Sequence, residues 1–204
     1  MTDGQKELLR AQSDALAPKV EEAVNAPKLA LEIGFGAGEH LHHIAGHNPD
    51  TLYIGAEPFI GGVAKLLMRM DKEPRENIRV YPDDARLLMD SLPDACLDTC
   101  YVLFPDPWPK PRHFKRRLIQ KPFLDAIARL LKPSGELLLA TDHRDYSIWM
   151  LEQLLSHGAY QWGAECASDW TSPPEHWVPT RYEQKTGEQG REPVFLRFSL
   201  RDEG

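Results

Sequence analysis

Between Leu29 and Ser156 the sequence alternates short apolar runs with helical spacings five times, and this alternation restricts the fold more than any single motif does. Leu29 to Ile33 (LALEI), Thr51 to Gly55 (TLYIG), Asn77 to Tyr81, Leu97 to Phe104 and Glu136 to Thr141 (ELLLAT) read as strands. Helices are expected over Glu39 to Ala45, Ile60 to Met70, Ala85 to Ser91, Phe123 to Leu131, and from about Tyr146 to Ser156. Lys132-Pro133-Ser134-Gly135 reads as the stop signal of the fourth helix. Such alternation implies an α/β fold, a parallel sheet with helices on both faces. Pro193 to Leu200 (PVFLRFSL) and, more weakly, Tyr160 to Ala164 also read as strands, with no helix expected between them. They are expected to pair as an antiparallel element at the sheet edge.

A length of 204 residues suits one well-buried core better than two. Residues 28–204 are therefore expected to form a single domain, and residues 1–27 a polar, helix-prone leader that need not be fully ordered. No apolar run approaches the length of a membrane span, and MTDGQKELLR lacks the charged-then-apolar order of a signal peptide. Cys96, Cys100 and Cys166 cannot all pair within the chain and show no zinc spacing, which suits the cytoplasm. Neither membrane nor metal is expected as a partner, and a monomer and a homodimer remain equally open.

The formal net charge of -7 argues against indiscriminate binding of nucleic acid. Its distribution qualifies that. Six of the 24 basic residues (Lys110, Arg112, Lys115, Arg116, Arg117 and Lys121) fall in one short stretch with His113 and no carboxylate, leaving 18 against all 31 acidic residues elsewhere. A single basic patch on an acidic body can direct a polyanion to one place, although a solvated loop would look the same in charge alone.

In an open parallel sheet, ligands bind beyond the carboxyl ends of the strands. The first such turn is Glu32-Ile33-Gly34-Phe35-Gly36-Ala37-Gly38, and the dinucleotide fingerprint fails at Glu39, where glycine or alanine would be required. Glu32 and Glu39 would also repel a pyrophosphate, so a cationic cofactor fits better. S-adenosylmethionine is cationic and needs no phosphate cradle, so Gly34, Gly36 and Gly38 would serve close backbone approach. Glu57 after the second strand is placed for ribose hydroxyls and Asp84 after the third for an adenine amine. Each acid alone could equally be a turn or cap residue.

The fourth strand runs into FPDPWPKPRHFKRR, where Pro105 and Pro107 restrict the backbone around Asp106 and Trp108 offers a stacking face. Together with LEIGFGAGEHL, YIGAEPFIGGVAKLL, NIRVYPDDA, LATDHRDY and PTRYEQKTGEQGREPVFLRF, this segment resembles, in order and spacing, the bacterial tRNA (guanine-N7-)-methyltransferase family from Leu29 to Leu200. The resemblance implies a Rossmann-like class I methyltransferase fold, S-adenosyl-L-methionine as donor and a guanine in the tRNA variable loop as acceptor. It implies further that Glu32, Glu57, Asp84 and Asp106 line the cofactor site and that Asp106 is catalytic. Lys110, Asp142, Thr180, Arg181, Tyr182 and Glu183 would contact substrate; Arg112, His113, Phe114, Lys115, Arg116 and Arg117 would meet RNA. MTDGQKELL is similar to the family's leader but lacks the basic arm that usually precedes it, and Asp83 stands where a neutral residue is usual.

Guanine N7 carries an in-plane lone pair, so its methylation requires alignment more than a general base. The Watson–Crick edge of guanine offers N1–H and N2–H2 donors, for which Asp142 and Glu183 are the candidate acceptors, Asp142 being otherwise a helix cap. Trp108, Trp170 and Trp177 could stack on bases, although buried packing is the commoner role. His40, His42, His43 and His47 share one expected helix, and His43 and His47 have the spacing of a metal pair without a third ligand; a surface helix is the expected reading. The alternatives are a methyltransferase for another nucleic-acid base and a non-catalytic RNA-binding module on the same scaffold.

Overall fold

The computed structural model describes residues 16–188 and 190–201. Most of the expected leader, residues 1–15, therefore lies outside the described residues; its last part carries helix α1 (Val20–Asn25). Then follow β1 (Lys28–Ile33), α2 (Glu39–His47), β2 (Thr51–Ala56), α3 (Ile60–Lys72), β3 (Ile78–Tyr81), α4 (Ala85–Ser91) and β4 (Leu97–Leu103). A 3-10 helix (Pro111–Arg116) leads into α5 (Lys121–Leu130), β5 (Leu131–Thr141) and α6 (Arg144–Ser156). The chain ends with β6 (Tyr160–Trp162), α7 (Ser168–Thr171), α8 (Arg181–Gly187) and β7 (Val194–Leu200).

Seven strands form one sheet in the order β3-β2-β1-β4-β5-β7-β6. The first five are parallel, while β7 runs antiparallel to both β5 and β6, as expected for the edge. Strand order reverses between β1 and β4, so a crevice opens at their carboxyl ends. Alternation along β1 sends Leu29, Leu31 and Ile33 into the core shared with α4, α5 and α6, and Ala30 into the core under α2 and α3. Glu32, by the same period of two, joins the α2 side. Leu41, Ile44 and Ala45 of α2 and Val63, Leu66, Leu67 and Met70 of α3 seal that side.

Two expectations about local structure are corrected. The segment Lys132-Pro133-Ser134-Gly135 does not separate a helix from a later strand: α5 ends at Leu130, β5 starts at once, and the register shifts between Leu97 and Thr99 of the partner strand. Gly135 is required there because a Cβ would lie 2.8 Å from the Leu97 carbonyl oxygen. Between β6 and β7 the chain is not free of helix but forms α7 and α8. Thr180-Arg181-Tyr182-Glu183 is the start of α8, with the Glu183 N–H donating to Thr180 Oγ1 at 3.2 Å, one half of a capping box.

Candidate active site

The turn after β1 is built on Gly34, Gly36 and Gly38, whose φ values of 74°, 59° and 73° a side chain would strain. Glu57, at the end of β2, holds this turn: its Oε2 accepts from Gly36 N–H at 2.9 Å and its Oε1 from Phe59 N–H at 2.8 Å. Each carboxylate oxygen has a second lone pair, so the group that ties two loops together can still accept hydroxyls. Gly62, which sequence reasoning passed over, lets α3 approach the turn; a Cβ there would stand 2.2 Å from Gly36 O.

A cleft of about 850 Å³ opens beside this turn, lined by Gly34, Glu57, Asp84, Asp106 and Trp108 among others. Three of the expected acids therefore meet on one cavity from three strand ends. Asp84 is also the N-cap of α4, accepting from Arg86 N–H at 3.0 Å, and is ion-paired with the Arg86 guanidinium, which holds its carboxyl below the usual range. Asp83 accepts from Asp84 N–H at 2.7 Å, so its unexpected charge fixes the turn before that cap. Asp106 is exposed to the cleft, between Phe104 and Trp108, whose φ values of 51° and 41° are left-handed. Non-glycine residues held there store strain.

The cationic segment divides. Lys110, Arg112, Lys115 and Arg116 are exposed; Arg116 lies 4.8 Å from the Trp108 ring, and His113 meets the same ring edge-on. Arg117 does not join them. It is 3% exposed, with its guanidinium 3.8 Å from the Phe114 ring centroid. Arg117 and Phe114, both expected to face RNA, pack on each other in this fold, and Phe114 remains half-buried.

Glu32 is 2% exposed and is not on the cleft wall; it accepts from His40 Nδ1 at 2.7 Å. Strand alternation turns the side chain toward α2, where this pair forms. His40 and His42 are buried, which also corrects the reading of α2 as a surface helix. His42 donates to Glu73 O at 2.8 Å, and burial pushes its imidazole pKa down. His43 is half-buried and His47 exposed, and His176 stacks on His47, yet among the described residues no group of His, Cys, Asp or Glu is arranged to hold a metal ion.

A second polar cluster sits on the α2 side of the sheet ends. The Trp177 ring lies 5.0 Å from His40, and its Nε1 donates to Glu183 Oε1 and Oε2. The Asp142 side chain is 2% exposed, accepting from Tyr182 Oη at 3.2 Å and lying 3.5 Å from Arg191 Nη1. Tyr182 in turn meets the Phe104 ring at 5.5 Å, which joins this cluster to the turn carrying Asp106. Thr180, Tyr182, Glu183 and Asp142 are thus brought together, whereas Lys110 and Arg181 are exposed and make none of these contacts. Sequence reasoning missed His40, Trp177 as a donor, and Arg191; only the Thr-x-x-Glu pattern of the capping box gave a local signal.

The family profile Methyltransf_4, described as "Putative methyltransferase", matches residues 26–196. The tRNA (guanine-N(7)-)-methyltransferase of Brucella anthropi is 48% identical over 84% of this chain and 73% of its own length. Those of Rhizobium johnstonii (47%, covering 86% and 75%) and Roseobacter denitrificans (49%, covering 82% and 72%) are equally near. The chain belongs to the tRNA (guanine-N(7)-)-methyltransferase family.

Solved methyltransferases share its fold at low identity. A 16S rRNA methyltransferase, KamB, superposes with a TM-score of 0.61 at 17% identity over 98% of this chain and 94% of its own. The aminoglycoside resistance methyltransferase NpmB1 gives 0.56 at 18% over 89% and 91%. In this tRNA methyltransferase family member, the cleft can accommodate a cationic cofactor among carboxylates. The turn carrying Asp106 stands between that cleft and the polar cluster of α8.

Proposed function

We propose that this chain transfers a methyl group from S-adenosyl-L-methionine to N7 of a guanine in the variable loop of tRNA. The observation that carries the reading is the convergence of Glu57, Asp84 and Asp106 on one cleft whose mouth also bears exposed Lys115 and Arg116. Relatives 46–49% identical are named tRNA (guanine-N(7)-)-methyltransferases. The residues fit the cofactor: glycines let the backbone come close, and the carboxylates suit a cation. Glu57 would accept ribose hydroxyls with its remaining lone pairs, and Asp84 would face the adenine while capping α4.

When bound, S-adenosylmethionine supplies a methyl carbon electrophilic enough to be taken by a neutral ring nitrogen. No side chain therefore has to remove a proton beforehand, and the work left to the protein is orientation. Asp106 would hold the reacting groups in line, and its negative charge would favour the positive charge that the base acquires. Asp142 and Glu183 would read the Watson–Crick edge, while Lys110, Arg112, Lys115 and Arg116 would hold phosphates and set register.

The working unit is read as one domain from residue 28 onward. Cys96 and Cys100 are buried free thiols and Cys166 an exposed one, which agrees with a reducing compartment such as the cytoplasm. Among the described residues no helix is long and apolar enough to cross a membrane. The deciding experiment incubates the protein with bulk unmodified tRNA and labelled donor and maps the product. Label at N7 of a variable-loop guanine is expected; label on another base, or tRNA binding without transfer, overturns the reading.

A further inference from the structure

A buried cation needs a physical reason. Arg117 has no carboxylate within ion-pairing distance among the described residues, and its Nη2 is buried without a hydrogen-bond partner. Burial pulls its pKa below the ordinary arginine range. The Asp145 carboxylate acts on the guanidinium only from a distance, and what surrounds it closely is aromatic: Phe114 at 3.8 Å, Trp149 at 4.9 Å and Tyr146 at 5.1 Å. Ring faces attract a desolvated cation, and arginine fits such a cage better than lysine does because it is planar. The cage is itself fixed, since Trp149 Nε1 donates to Ile119 O at 2.7 Å and Tyr146 Oη accepts from Ile119 N–H at 3.4 Å.

Among the described residues the guanidinium makes one hydrogen bond, and it shows what the cage serves. Arg117 Nε donates to Pro107 O at 3.0 Å, inside the turn that presents Asp106. Phe104 and Trp108 bracket that turn in left-handed conformations, which persist only where the surroundings impose them. We propose that Arg117 is a positioning residue of the methyl-transfer site, pinning the Pro105–Trp108 turn, and through it the Asp106 carboxylate, from the α6 side rather than contacting RNA phosphate. The inference rests on the reading of Asp106 as a group of the transfer site.

The test compares Arg117→Met, Arg117→Lys and Phe114→Leu with Lys115→Ala and Asp106→Ala. Each is checked for folding by near-ultraviolet circular dichroism. Two quantities are read: the single-turnover rate constant at saturating tRNA and donor, and the slope of log affinity for tRNA against log salt. Arg117→Met is expected to lose about tenfold to a hundredfold in rate, the effect of a small misplacement, with an unchanged slope. Lys115→Ala is expected to lower the slope by about one. Arg117→Lys, which would serve a phosphate well, is expected to recover only part of the rate. Should the arginine variants not fold, Phe114→Leu loosens the cage and is expected to show the same pattern at smaller size. A slope lowered by about one with normal turnover overturns the proposal. If Asp106→Ala is inactive while folded Arg117→Met or Phe114→Leu turns over normally, the inference alone fails. If Asp106→Ala is fully active, the site reading fails with it.

Discussion

The indole Nε1 of Trp177 donates to both carboxylate oxygens of Glu183, at 3.2 and 3.0 Å. It is an aromatic N–H facing a half-buried acid, the arrangement that the N1–H edge of guanine would present to the same group. A carboxylate has about four lone-pair sites, so Glu183 can accept from a base beside Trp177 or after displacing it. An adenine would instead bring an acceptor to an acceptor, at about 1–3 kcal/mol or more for each unpaired group. Inosine lacks only N2–H2. Transfer to tRNA carrying inosine at the target position is therefore expected to be slower than to the guanine form, and Glu183→Gln to narrow the gap. Equal single-turnover rates on the two tRNAs in the wild type would make Glu183 a loop-ordering residue only.

Burial raises the pKa of Glu183, and the hydrogen bond from Trp177 only partly opposes the shift. A carboxyl whose folded pKa exceeds its unfolded value stabilises most while protonated, so its contribution is full below the ordinary carboxylate pKa and is lost as pH rises through the raised one. Relative to Glu183→Gln, the wild type is expected to lose thermal stability across that window, just above the usual carboxylate range. A melting-temperature difference between the two that stays constant with pH would contradict this.

Lys115 and Arg116 are the exposed cations on the cleft side of the 3-10 helix. The double change to alanine is expected to lower the salt slope of tRNA binding by about two, since each phosphate contact contributes close to one. An unchanged slope would place this edge of the cleft away from the RNA.

Gly62→Ala would drive a Cβ to 2.2 Å from Gly36 O, whereas at Gly61 the added atom meets only the exposed ring of Phe59. Both changes favour the helix, but backbone cannot yield as a ring can. Gly62→Ala is expected to cost about 1–3 kcal/mol by denaturant unfolding and to weaken calorimetric binding of S-adenosylmethionine, with Gly61→Ala nearly neutral. Equal behaviour of the two variants would show that the turn is not packed against α3.

What the sequence determined by itself is whatever depends on neighbours a few residues apart. Apolar periodicity placed the five parallel strands and their helices, the glycines marked the first turn, and acids at strand ends located Glu57, Asp84 and Asp106. The capping pattern of Thr180 and Glu183 is equally local. Only the tertiary structure decided which way Glu32 turns, because the period of two fixes alternation but not which face holds the cleft. Packing likewise buried His40 against Tyr101 and Trp177, and took Arg117 out of a basic run into rings carried by α6. A charge run looks the same in sequence whether its members face solvent or core, since burial is set by side chains that arrive from distant parts of the chain.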